Sequence, residues 1–215
     1  DENNYIRLFD AIEKQKNYDD EKLRNKFAGE RMLLHFWSAK KYLYDLVLKS
    51  MELYHKNTKS ELMSLSRQAE ILLEKNLFIQ AKRIISKGIK LSKQYELNLM
   101  LADFFNLERR CAYLMSYNGV DRELLNKNYN GVRMALMHHL NEVSYGHLSN
   151  VIFFKLNRRG LIREQGQGRY LEKIIDHSLL KSEDAANTFA AKVNFNTIKY
   201  IYHNVKGNFK EAHKY

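Results

Sequence analysis

The 215-residue sequence contains no proline, where average usage of about 5% would supply roughly ten. Proline is kept out of helix interiors because it lacks the N–H donor and its ring collides with the preceding turn. A chain without it is free to run in uninterrupted helices. The single cysteine, Cys111, has no intrachain partner, which excludes a disulfide framework and fits a reducing compartment. Glycine is also sparse, with nine residues and few Gly/Ser clusters, so no flexible linker divides the chain. No apolar run approaches the roughly 20 residues that a membrane span requires. The sequence starts at Asp1, so any leader would lie outside it, and a cytoplasmic location is the expectation.

Positive charge is abundant. A net charge of +11 and a pI near 9.5 raise the nucleic-acid reading, because basic surface gains free energy by releasing counterions from phosphate. The lysines are nevertheless dispersed among Asn, Ile and Tyr, a bias that genome composition alone produces. A solvated basic face is the simpler reading.

The most regular pattern runs from Leu65 to Leu91. Leu65, Ala69 and Leu72 recur at helical spacing, as do Ala81, Ile84, Ile85, Gly88 and Ile89 after a turn at residues 75–77. Small residues on these faces allow two helix axes to approach closely. A second copy of the turn closes the chain, where Asn208-Phe209-Lys210-Glu211-Ala212 mirrors Leu77-Phe78-Ile79-Gln80-Ala81 and Gly207 supplies the break. The two turns lie 131 residues apart, near four periods of roughly 34 residues.

This arrangement resembles the tetratricopeptide repeat (TPR). Ala69 and Ala81 match its small positions, Phe78 its aromatic before the second helix, and Gly88 its last small position. Lys93 stands where the repeat has its closing proline. The expected fold is therefore all-α, with antiparallel helix pairs stacked as a TPR-like α-solenoid. Residues 1–57 would be an N-terminal helical region and 58–215 the repeats.

Around that pair, residues 4–15 read as a helix striped by Tyr5, Leu8, Phe9 and Ile12. Asp19 is a candidate N-cap for a short helix stopped by Gly29, and a long helix should run from about Arg31 to His55. Residues 20–48 also follow a helix-turn-helix layout, with Ser38, Lys40, Lys41 and Tyr42 on the second helix, though ordinary helix packing explains the same pattern. Residues 95–115 are apolar around most of the circumference, which predicts an enclosed helix with Cys111 as a small buried hydrophobe. From Asp121 a stripe of Leu125, Tyr129, Val132, Leu136, Leu140 and Val143 predicts another helix, and the pattern leaves open whether residues 144–146 break it.

Chemistry-bearing motifs are few. His138 and His139 point about 100° apart on a helix, and His139 and His147 stand two turns apart, so no metal site is expected. No dinucleotide or phosphate-loop fingerprint occurs, no nucleophile with a base is recognisable, and no cofactor is expected. The segment around Arg158, Arg159, Arg163 and Arg169 carries glycines beside arginines and could cradle an acidic partner, although a charged connection between helices is the plainer reading.

A wider likeness spans most of the chain. Asn4-Tyr5 with Phe9-Asp10-Ala11-Ile12, Lys41-Tyr42-Leu43-Tyr44-Asp45-Leu46, and Ser178-Leu179-Leu180-Lys181-Ser182-Glu183-Asp184 resemble an uncharacterised family of helical-repeat proteins common in Bacteroidetes. The resemblance implies a longer cytoplasmic protein with TPR-like repeats and no assigned catalytic residues. TPR domains that clamp a C-terminal carboxylate use Lys and Asn where this chain has Ser66 and Glu70, so the likeness disfavours that ligand. The inner face of the pair, Met63, Ser66, Glu70 and Leu73, would instead suit a mixed apolar and basic peptide. The functional expectation is a non-enzymatic scaffold for a protein partner. The alternative is nucleic-acid binding through residues 20–48 or the 158–169 arginines.

Overall fold

The computed structural model describes residues 4–54, 57–159 and 171–215, and these are all-helical, with no strand among them. They fall into two compact units, Asp1–Ser60 and Glu61–Tyr215.

The first unit holds α1 (Asn4–Glu13), α2 (Asp20–Lys26), a 3-10 turn (Arg31–His35) and α3 (Phe36–Tyr54). Asp19 caps α2 as expected, its carboxylate accepting from the Lys22 N–H at 3.1 Å. Gly29 follows at φ +82°, a left-handed conformation that glycine adopts without Cβ strain. The long helix expected from Arg31 opens with the 3-10 turn instead. A core of Leu8, Leu23, Phe27, Met32, Phe36 and Leu43 joins the elements. Of the α1 stripe only Leu8 is enclosed, while Tyr5 and Phe9 stay exposed. Arg7 makes a forked ion pair with Glu30, its two nitrogens donating at 2.9 and 2.7 Å.

The second unit contains all but the first turn of α4 (Thr58–Glu74), then α5 (Phe78–Gln94), α6 (Asn98–Leu114), α7 (Arg122–Arg159), a short helical stretch α8 (residues 171–175), α9 (Phe189–Val205) and α10 (Phe209–Ala212). Two 3-10 turns, Ser178–Leu180 and Glu183–Ala185, precede α9. One turn geometry recurs three times. Asn76, Glu96 and Gly207 take φ of 58°, 50° and 75°, and the next residue in each case has ψ of 62°, 70° and 62° before a helix begins. In each the N–H of that next residue reaches back five positions: Leu77 to Leu72 O at 2.8 Å, Leu97 to Ser92 O at 2.9 Å, Asn208 to His203 O at 2.9 Å. This is the Schellman closure, which satisfies helix-end carbonyls and reverses the chain in the fewest residues. The turn at 95–97 escapes a sequence reading because glutamate, not Gly or Asn, takes the left-handed position.

The three 17-residue helices α4, α5 and α6 begin at 58, 78 and 98, one every 20 residues. Two successive helices therefore span 40 residues, longer than the 34-residue helix-pair period inferred from the two outer turns. Between those turns lie α5, α6, the 38-residue α7, the short α8 and α9, not four equal pairs.

Small residues set how closely the helices lie. A Cβ on Gly88 of α5 would sit 2.2 Å from the ring of Phe104 of α6, and one on Gly131 of α7 would sit 2.7 Å from Phe105. Phe104 is fully buried among Leu62, Leu65, Ala69, Ala81 and Ile85, so its ring has nowhere to yield. Cys111 is buried in the same cluster, and burial raises its thiol pKa.

Helix α7 is continuous through residues 144–146. Ser144 hydroxyl bonds back to Leu140 O at 2.8 Å and Gly146 has open space around its Cα. Its buried face consists of Asn128, Ala135, Tyr145, Ser149 and Ile152. Asn128 donates to Phe105 O at 2.9 Å, Tyr145 hydroxyl donates to Leu179 O, and Asn141 donates to Ala185 O at 2.9 Å, pinning α7 to its neighbours by hydrogen bonds as well as packing.

Paired glycine substitutions test this packing. Gly88→Ala should lower stability by about 1–3 kcal/mol despite its better helix propensity, because the methyl overlaps Phe104. Gly146→Ala, with nothing in the way, should raise it by about 0.5–1 kcal/mol. Denaturant titration of the two variants checks both signs.

Candidate partner-binding surfaces

In the second unit a cleft of about 700 Å³ opens between α4 and α6 and is bordered by the start of α7. Ser66 and Glu70 of α4, Asp103, Asn106, Arg109, Arg110 and Tyr113 of α6, Tyr117 and Leu125 line it. Helical spacing explains the α6 side, since positions 103, 106, 110 and 113 share one face. Its opposite face carries Leu101, Phe104 and Phe105 into the core.

The cleft is polar and of mixed charge. Burial, and then the negative charge of Glu70, push the Asp103 carboxyl above its ordinary pKa. Arg109 is turned to Asn106 Oδ1 at 3.3 Å, and neither carboxylate has an ion-pair partner among the described residues. Tyr113 and Tyr117 meet edge to face, ring centroids 6.2 Å apart, and stay exposed at one end.

Beside the cleft, α7 turns an apolar stripe outward. Leu125, Tyr129, Leu136, Leu140 and Val143 keep 39–66% of their surface accessible. Five of the six residues from which the helix was read lie there, while the sixth, Val132, is half-buried against Leu101, Ala102, Phe105 and Ala135 on the neighbouring, core-facing side. From Leu125 to Val143 the stripe runs about 27 Å.

The structure sorts the expected binding residues. Ser66 and Glu70 line the cleft. Met63 is exposed on α4 outside the cleft lining. Leu73 is 1% exposed and belongs to the core with Leu62, Leu65 and Ala69, so its assignment to a binding face is corrected. The physical reason is the helix period: residue 73 falls eleven positions after Leu62, close to three whole turns, which returns it to the core stripe. The side chains of Arg158 and Arg159, and all of Arg163 and Arg169, lie outside the described residues. Asp103 and Tyr113 were not legible as site residues, because residues 95–115 read as apolar around most of the circumference, and Tyr117 lies in the turn after that stretch.

Among the described residues no three His, Cys, Asp or Glu side chains gather as metal ligands would. His139 Nδ1 lies 3.5 Å from Glu142, which also accepts from Asn98 at 2.8 Å. In the first unit Lys40 is held by Asp20 and by Tyr18 hydroxyl at 3.1 Å, which occupies one of the two lysines of the helix-turn-helix reading. The Lys40 ammonium, then Tyr18 and Arg24, hold the Asp20 carboxyl far below the usual carboxylate range.

Comparison with known protein families, with characterised proteins and with solved structures gives no match to this chain. Among the described residues no helix is long and apolar enough to cross a membrane.

The raised Asp103 pKa is open to direct test. Because Asp103 binds its proton more tightly folded than unfolded, it favours the folded state below its unfolded pKa. That contribution is lost as pH rises through the folded value. Glu70→Gln removes the second of its two causes, so the Asp103 midpoint in a carboxyl NMR titration should move down. An unchanged midpoint would assign the whole shift to burial.

Proposed function

We propose that residues 61–215 act as a non-enzymatic protein-interaction scaffold, a TPR-like α-solenoid segment that takes its partner along the cleft and the α7 stripe. One observation carries the reading: a long helix that turns Leu125, Tyr129, Leu136, Leu140 and Val143 to solvent alongside the cleft. An exposed apolar stripe of this length is costly in water and typically marks a surface that another chain covers. The repeated hairpin turn and the 20-residue helix spacing support a stacked-repeat architecture. Glu70 and Asp103 would receive a basic side chain of the partner, and Leu125 to Val143 its apolar ones.

The test is affinity capture of tagged protein from its own cells at physiological salt, in nuclease-treated and untreated halves. Wild type is compared with Leu136→Asp/Leu140→Asp. Both residues are exposed, so the double variant should keep its helical circular dichroism. A protein partner that survives nuclease and falls at least about tenfold with the variant is the expected outcome. Retention by the variant, or partners that vanish with nuclease, would contradict the reading and favour nucleic-acid binding.

A further inference from the structure

The first unit carries a groove of its own, of about 600 Å³, between α1 and α3. Its walls are Phe9 and Ile12 of α1, Tyr18, and Trp37, Tyr44 and Val47 of α3, with Lys40 and Lys41 at the rim. The core of this unit uses the adjoining face of α3, formed by Phe36, Ala39 and Leu43, and Leu43, Ile12 and Val47 belong to both the core and the groove. About 100° around the helix, Trp37, Tyr44 and Met51 repeat every seven residues and are 68%, 63% and 62% exposed. Residues 40 and 47 fall between them, giving the alternating three- and four-residue spacing by which one helix receives another.

Charge selects the occupant. No acidic residue lines the groove. Lys40 is neutralised by Asp20, whereas the Lys41 ammonium lies over the Trp37 ring, 5.4 Å from its centroid, and has no acidic partner among the described residues. An incoming carboxylate would therefore meet an unpaired cation already held against the aromatic wall. A second copy of the chain fits poorly, since a twofold across Tyr44 would bring two Lys41 side chains within about 9 Å along the helix, close to one Debye length, with no acidic residue in the groove to receive either. Single-stranded nucleic acid could stack on Trp37 and Tyr44, but one unpaired lysine is a weak backbone track for it.

We infer that the α1–α3 groove receives an amphipathic α-helix of a partner protein, its apolar face seated on Trp37 and Tyr44 and an acidic side chain paired with Lys41. This is independent of the reading given for residues 61–215. The groove supplies the apolar anchors of helix-in-groove recognition, and Lys41 sets the orientation and charge preference.

Trp37 is the sole tryptophan of the chain, so its emission reports this groove alone. The full chain is titrated with a synthetic amphipathic helix of about 18 residues, five turns long, bearing leucines on one face and glutamates beside them. A matched peptide has lysine for glutamate, and an oligothymidylate is the third probe. The expected result is a saturable blue shift with the acidic peptide at least about tenfold tighter than with the basic one, reversed by Lys41→Glu. Tyr44→Asp should weaken the acidic peptide with circular dichroism unchanged. Equal response to both peptides, no response to either, a larger response to the oligothymidylate, or a blue shift with dimerisation of the protein alone would each overturn the proposal.

Discussion

The ring of Phe104 occupies the space that a side chain on residue 88 would need, and the second unit is arranged around that contact. It lets α5 and α6 lie close enough for one cluster of buried residues to serve α4, α5 and α6 together. Close approach would be unusable without short reversals between the helices. The left-handed residues at 76 and 96 supply them, so close packing and turn geometry require each other. Once α6 is fixed, Phe105 sets the approach of α7 through Gly131, and the cleft is what remains on the polar side of α6.

The first unit is built on different terms. One cluster of buried residues forms its core, and two partly exposed ion pairs, Arg7 with Glu30 and Lys40 with Asp20, tie its elements together beside it. Small units of this kind bury a modest fraction of their chain and gain from any further apolar surface they can cover. An open groove beside that core therefore has both an energetic reason to be filled and the side chains to direct what fills it. In the second unit three clusters of buried residues form the core, and Leu125, Tyr129, Leu136, Leu140 and Val143 of α7 stay outside them.

Much of the fold was legible in the sequence, for identifiable reasons. The absence of proline and the helical recurrence of Ala69, Ala81 and Gly88 announced closely packed helices, and Asp19 and Gly29 marked helix ends through local chemistry. The turn at 95–97 was hidden because the helix-end closure from Leu97 to Ser92 puts Glu96 in a left-handed conformation that its own propensity does not favour. The α7 stripe was legible as a helix but not as a surface. Periodicity shows that apolar residues share a face and says nothing of what that face meets, and here the core took the neighbouring face through Asn128, Ala135 and Tyr145. The cleft was half legible. Ser66 and Glu70 followed from the position of α4, whereas Leu73 was lost to the helix period and Asp103 to the apolar appearance of its own helix.

If a partner covers the exposed side of α7 in the working protein, site-specific photocrosslinking in cells will trap it there. A photoreactive residue placed at Leu140 should yield discrete adducts with another protein, while the same group at Lys87, an exposed position on α5, should yield none of that mass. No adduct from Leu140, or adducts only with nucleic acid, would contradict the account.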